Sequence, residues 1–277
     1  MLGLKTYLKR NKISIGGIPS RNKSINLEWW SKKENVGDYI SKVVYDYMLN
    51  HYKLDANKVV RKTTHLMAVG SLIGMYEFDA CVWGSGVHCV SNIKNVYEQR
   101  KYRKYDIRLL RGPITGEILR SAGYSVPNIY GDPAVIMPLI YNPDVNKKVY
   151  DVSVILHLNQ KQDQSELTKE FHYIDVETND FKYFISEIVK SKLVVSSSLH
   201  GIILAESYGV PAIFLKKGMD GELVKFYDWY FSTNRYSVVA VDSILEALNV
   251  VPMKLPNIQK LQENVINAFP VDLWKEN

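Results

Sequence analysis

The sequence predicts an α/β fold with parallel sheets, built as two similar halves about a cleft. Three observations carry this. Short apolar or β-branched runs alternate with helical patterns along most of the 277 residues. Several of those runs end in glycine-bearing turns, as in "VGSLIG", "WGSGV" and "RGP". Midway, "PLIYNPDVNKKVYD" (138–151) breaks the alternation with Pro, Asn and charge. That break divides the chain into 1–145 and 146–255, with a closing segment at 256–277.

The elements follow in order. "ENVGDYIS" (34–41) opens the helix "YISKVVYDYML", for which Asp38 is a plain N-cap. "HLMAVGSLIG" (65–74) and "DACVWGSGV" (79–87) read as strands entering glycine turns. "YDIRLLRGP" (105–113) is a strand ending in Arg111, Gly112 and Pro113. "ITGEILRSAGY" (114–124) is a helix closed by Gly123. "IYGDPAVIM" (129–137) is a turn with a short element, and "YDVSVILHL" (150–158) is a strand ending at His157. "DFKYFISEIVKSK" (180–192) is helical, "LVVS" (193–196) a strand, "LHGIILAESYG" (199–209) a helix and "VPAIFLKK" (210–217) a strand. In "NIQKLQENVINAF" (257–269), Ile258, Leu261, Val265 and Phe269 share one helical face, as expected of a strap packing back on the body.

Composition narrows the function classes. Hydrophobic residues make up 46 %, enough for a substantial core. The 19 tyrosines suit surfaces that stack on sugars. Cys81 and Cys89 are the two cysteines; with no spaced ligand set, neither a zinc site nor a disulfide framework is expected, and the reading is a reduced, cytoplasmic protein. No stretch reads as a signal peptide or a membrane span. The net charge is +6, and residues 1–23 carry six basic side chains with no acid. That segment is a solvated terminus or a basic edge that adsorbs peripherally to an anionic inner-membrane surface. Basic residues elsewhere are mixed with acids, so nucleic acid is not an expected partner.

The chemistry concentrates at "VVSSSLHGIILAESYGVP" (194–211). A strand ends at Ser196 and a helix begins near Leu199, with Ser197 or Ser198 as N-cap. The N–H groups of Leu199, His200 and Gly201 then face the cleft, where the helix dipole favours phosphate or carboxylate. Gly201 is expected to let an anion approach, and His200 to exchange a proton with it. The local alternative is that the serines cap a helix and His200 fills a gap. Arg111 suits bidentate capture of an anion. Asn35 and Asp38 flank Gly37, Asp132 sits in a tight turn, and His157 ends a strand. Each has a structural alternative: a cap, an Asx-turn or a backbone-bonded histidine. His65, His88 and His172 have no supporting neighbours and read as structural. There is no GxxxxGK[ST] and no dinucleotide fingerprint.

Taken in order, "NLEWWSKKENVGDYIS", "VGS", "WGSGV", "RGPITGEIL", "GDPAV", the strand ending in His157, "SSLHGIILAESYGVPAIFL" and "KFYDWYFS" resemble the polysaccharide pyruvyl transferases over roughly residues 26 to 235. The resemblance implies a GT-B-like fold, two Rossmann-like domains whose parallel sheets face a central cleft. It implies transfer of the pyruvyl group of phosphoenolpyruvate onto a hexose of a surface polysaccharide, with no cofactor and no metal. By position, His200 is then the acid/base, with Arg111 holding the donor's phosphate or carboxylate and Lys216 or Lys217 next. Asn35 and Asp38 face the acceptor sugar, and Asp228 and Trp229 either line the cleft or belong to an aromatic core. Where many members carry arginine before Leu-His, this chain has Ser198. The acceptor implied is a glycan, on a lipid diphosphate at the inner membrane face. The alternatives are a GT-B glycosyltransferase with a nucleotide-sugar donor, or a non-catalytic carbohydrate-binding protein.

Overall fold

The computed structural model describes residues 25–56, 58–59, 65–145, 147–160 and 170–274. The basic segment 1–23 lies outside them. The elements run β1 (Asn26–Glu28), α1 (Val36–His51), β2 (His65–Met67), β3 (Ala80–Trp83), α2 (Val90–Gln99), β4 (Tyr105–Leu109) and α3 (Pro113–Ser121). A 3-10 turn (Pro133–Ile136) leads into α4 (Met137–Ile140). Then come β5 (Tyr150–Ile155), β6 (His172–Tyr173), α5 (Phe181–Val189), β7 (Ser191–Ser196), α6 (Leu199–Ser207), β8 (Ala212–Leu215), α7 (Leu223–Ser232), β9 (Ala240–Val241), α8 (Ile244–Ala247) and α9 (Ile258–Asn267).

Two parallel sheets result, ordered β1-β2-β3-β4 and β6-β5-β7-β8-β9. This is the α/β class with two parallel sheets that the sequence predicts. Strand alternation sorts side chains between two faces of each sheet. Leu66, Cys81, Trp83 and Leu109 face inward, whereas Met67, Ala80, Val82 and Leu110 pack outward under α2 and α3. In the second sheet Ile155, Val194, Ala212 and Phe214 face inward, and Val154, Val195, Ile213 and Leu215 outward. Both inner faces join one continuous hydrophobic cluster, filled by Ile40 and Val44 of α1, Ile202 and Ile203 of α6, and Leu261 and Val265 of α9.

Helix α6 is buried along nearly its whole length, and its centre, Ile202 to Ala205, is wholly apolar. Gly201 is part of this packing. A Cβ there would stand 2.5 Å from Ser196 Oγ and 3.0 Å from Ile155 Cγ2. Gly201 thus seats the helix on β5 and β7, and not an anion as expected. Helix α9 contributes to the same cluster. Leu261, Val265 and Phe269 are buried, and the Trp83 indole N–H donates to the Val265 carbonyl at 2.8 Å.

A second tie crosses between the halves. Arg111, at the end of β4, is fully buried with Asp228 of α7. Its Nε donates to Asp228 Oδ2 at 3.2 Å, and Asp228 also accepts from the backbone N–H and hydroxyl of Thr115, at 2.9 and 2.7 Å. Two glycines make room for it. A Cβ on Gly86 would stand 2.4 Å from the guanidinium, and one on Gly112 would stand 1.9 Å from the Asp228 carbonyl oxygen. The "GSG", "RGP" and "DWY" stretches therefore meet as one buried brace. Trp229 belongs to the core, donating to Glu206 at 2.9 Å.

Candidate active site

In the second sheet β5 pairs with β6 on one side and β7 on the other, so strand order reverses between β5 and β7. Ligands of open α/β sheets bind at the carboxyl ends of strands at such a reversal. His157 follows β5 and His200 follows β7 at this point. A cavity of about 180 Å³ opens there. Its walls include Trp30, Asn35 and Asp38 after β1, Ser71 after β2, His88 after β3, His157, Ser198 to His200, and Lys225.

Helix α1 delivers Asp38. The sequence reading makes Asp38 the cap, but the structure uses Asn35, whose side chain accepts from the Gly37 N–H at 3.0 Å. Asp38 falls in the first turn with its carboxylate against the cavity. Burial pushes its pKa from 3.8 up to about 6, only partly offset by His200 and Lys225 nearby. Gly37 is the contact point of the two halves here. A Cβ on it would lie 2.4 Å from His200 Nδ1, so only glycine lets the imidazole lie against α1.

Asp132 stands behind His200. The Asp132 Oδ1 accepts from the Ala134 N–H at 3.0 Å and its Oδ2 stands 3.7 Å from His200 Nε2. Both atoms of that last pair are buried with no hydrogen-bond partner, and Asp132 is fully enclosed. Asp132 therefore reaches the cavity only through the imidazole. Ser198 is the N-cap residue of α6, yet its hydroxyl makes no cap bond. The first N–H groups of α6 lack intrahelical partners by geometry, which leaves a dipole end beside His200. Ser197 is turned away: its hydroxyl accepts from the His157 N–H at 2.8 Å and fixes the β5 and β7 termini together.

Two expected anion contacts lie elsewhere. Arg111 does not line the cavity. Its enclosed guanidinium is turned to Asp228, to Ser71 Oγ at 2.5 Å and to the Val87 carbonyl at 2.6 Å. Lys216 points outward, 40 % exposed, and pairs with Asp242 at 3.1 Å. A different lysine takes the place. Lys225 of α7 is 4 % exposed and lines the cavity. Its Nζ lies 3.3 Å from His157 Nε2 and hydrogen-bonds Glu222. His88 joins the same group, with Nε2 3.5 Å from Glu222 Oε1. Burial pushes the Lys225 ammonium down, and burial with Lys225 beside it lowers His157 to about 4, so His157 is neutral near pH 7. Burial alone would raise Glu222, but His88 and Lys225 hold it well below the usual carboxylate range. His88 thus belongs to the site and is not a lone structural histidine. His65 and His172 are structural, paired with Glu28 at 2.7 Å and Glu187 at 2.8 Å. Among the described residues Trp30 is the Phe, Tyr or Trp side chain that lines the cavity.

A family model described as polysaccharide pyruvyl transferase matches residues 35–216, from the cap of α1 to the end of β8. The chain belongs to the polysaccharide pyruvyl transferase family. That span covers Asp38, Asp132, His157 and His200 but stops before Lys225. The chain is 25 % identical to uncharacterised protein L143 of Acanthamoeba polyphaga mimivirus over 76 % of this chain and 75 % of that one. It is 26 % identical to succinoglycan biosynthesis protein ExoV of Rhizobium meliloti, over 73 % of this chain and 62 % of ExoV. An uncharacterised Klebsiella pneumoniae protein of solved structure aligns with TM-score 0.47 and 16 % identity, covering 87 % of this chain and 96 % of that one. The wall teichoic acid polymerase TagF aligns with TM-score 0.40 and 11 % identity, covering 91 % of this chain and 84 % of TagF. Among the described residues no helix is long and apolar enough to cross a membrane.

Proposed function

We propose that this transferase moves the pyruvyl group of phosphoenolpyruvate onto a hexose of a surface polysaccharide, forming a cyclic ketal and releasing phosphate. The observation that carries this reading is the convergence of Asp38 and the His200–Asp132 pair on a cavity that also presents a helix N-terminus and a buried lysine. Phosphoenolpyruvate has two anionic groups and a carbon that must be protonated. The cavity offers cationic surface for the first and, for the second, the Asp38 carboxyl, whose burial raises its pKa to about 6 so that a protonated fraction persists close to neutral pH.

The steps balance as follows. Protonated Asp38 gives its proton to C3 of the donor, leaving C2 electron-poor. A sugar hydroxyl adds to C2 and its proton passes to His200, which Asp132 orients. The C2–O bond to phosphate breaks with its electron pair on oxygen, and His200 returns the proton to the departing phosphate. A second hydroxyl of the same sugar closes the ketal, and its proton restores Asp38. The Leu199 and His200 N–H groups support the donor's phosphate as charge grows on it. Asn35 and Trp30, on the opposite wall, flank the acceptor, with the indole as a stacking surface. The acceptor is a lipid-diphosphate-linked oligosaccharide at the inner membrane face, which the basic residues 1–23 would meet electrostatically.

The test is donor choice. The purified chain is incubated with phosphoenolpyruvate or with nucleotide sugars and a panel of lipid-linked oligosaccharides, and products are read by mass. Gain of a pyruvyl ketal with matching phosphate release supports the reading. Transfer of a hexose from a nucleotide sugar overturns it.

A further inference from the structure

Three basic side chains from three separate elements meet on one carboxylate. His88 follows β3, His157 follows β5, Lys225 lies in α7, and all three line the cavity. Glu222 is within 3.5 Å of His88 Nε2 and 3.6 Å of His157 Nε2, and it hydrogen-bonds Lys225. Lys225 is buried, so its ammonium requires a partner. Glu222 does not belong to a rigid element interior. It sits just before α7, at the end of a turn in which Lys217, Gly218, Asp220 and Gly221 are exposed, and a Cβ on Gly221 would touch nothing. Its own side chain keeps 20 % exposure.

We propose that His88, His157 and Lys225 form the subsite for an anionic group of the donor, phosphate or carboxylate, and that Glu222 is a built-in counter-ion which that group displaces. The inference deepens the proposed reaction and rests on it for the donor's identity. Without ligand, Glu222 neutralises a lysine that could not otherwise stay charged in so enclosed a place. An entering oxyanion takes over the same hydrogen bonds, and Glu222 turns to the solvent beside its exposed turn. Binding is then an exchange of one anion for another. That weakens affinity for any single anion but keeps the empty site from collapsing or from leaving a buried charge unpaired.

The experiment measures binding of inorganic phosphate and, separately, of phosphoenolpyruvate to the full chain by titration calorimetry. Glu222→Gln removes the competing charge and is expected to tighten both by about tenfold, while Lys225→Met weakens both by about tenfold or more. The Glu222→Gln/Lys225→Met double variant removes both charges together, so it keeps the fold even if Lys225→Met alone does not, and it is expected to show no tightening. Unchanged or weaker phosphate binding in a folded Glu222→Gln protein overturns the proposal, as does phosphate binding by neither Glu222→Gln nor wild type. If phosphate follows the expected pattern but phosphoenolpyruvate is not turned over with any acceptor, the subsite stands and the proposed reaction falls.

Discussion

Replacing Asp38 with Asn is expected to stabilise the protein while destroying its activity. The carboxyl titrates near 6, against an ordinary 3.8, because burial disfavours its charged form. Such a rise corresponds to about 3 kcal/mol of strain in the ionised state. Asp38 still touches the cavity and its water, which reduces the figure to about 2 kcal/mol. The sign follows from linkage. A group whose folded pKa is raised binds its proton more tightly in the folded state, so the stability it contributes is complete below pH 3.8 and is lost as pH climbs through 6. At pH 7 wild type bears the full cost and Asp38→Asn bears none. With about 2–4 °C of melting temperature per kcal/mol for a chain near this size, the variant should melt about 4–8 °C higher at pH 7. At pH 4 the two curves should coincide. Turnover should fall by about a hundredfold or more, because an amide can neither give nor take the proton. The assay is thermal unfolding followed by circular dichroism from pH 4 to 7.5, beside phosphate release. A variant that melts at or below wild type at pH 7, or whose advantage does not vanish at pH 4, refutes the reasoning.

Further outcomes follow from the same geometry. His157 has the opposite sign: its folded value near 4 lies below the ordinary 6.5, so its contribution is present above pH 6.5 and lost on acidification towards 4; Asp38→Asn should therefore show stability rising by about 2 kcal/mol from pH 4 to 6.5 that wild type masks. Gly37→Ala places a methyl 2.4 Å from His200 Nδ1; turnover should drop by about a hundredfold, with the His200 ring displaced in a crystal structure. Asp132→Asn should lower kcat by about tenfold to a hundredfold, read with saturating donor and acceptor, because the imidazole loses its orienting carboxylate. Arg111→Met should destabilise by about 3–5 kcal/mol in denaturant titration, since it strands a fully buried Asp228. A merely weaker donor affinity with unchanged stability would restore Arg111 to the binding site.

Most of the fold could be read from local pattern. The strand ending at Ser196 and the helix from Leu199 fall where the apolar run, the serines and the glycine placed them, because each depends on residues within one turn. The His200 neighbourhood was legible for the same reason: a strand end and a helix start define a dipole site without help from elsewhere. The cap of α1 was not: Asp38 was read as the cap, yet Asn35, a residue type that caps equally well, takes the place and leaves Asp38 in the first turn on the cavity. Arg111 misled because a strand-end arginine looks the same whether it meets a ligand or a carboxylate 117 residues away. Lys225, Glu222 and His88 were missed because nothing in the order of residues links positions after β3 and β8; the lysine inside the apolar "LVKFYDWYF" was the available signal. Tyrosine abundance pointed to sugar stacking, yet Trp30 is the aromatic on the cavity.

The most direct measurement is phosphate release from phosphoenolpyruvate by the full chain with a lipid-linked oligosaccharide acceptor, comparing wild type with His200→Ala. Wild type should show acceptor-dependent release, one phosphate for each ketal formed, falling by about a thousandfold or more in His200→Ala while the melting temperature stays near wild type. A folded His200→Ala protein that keeps full turnover would contradict this expectation.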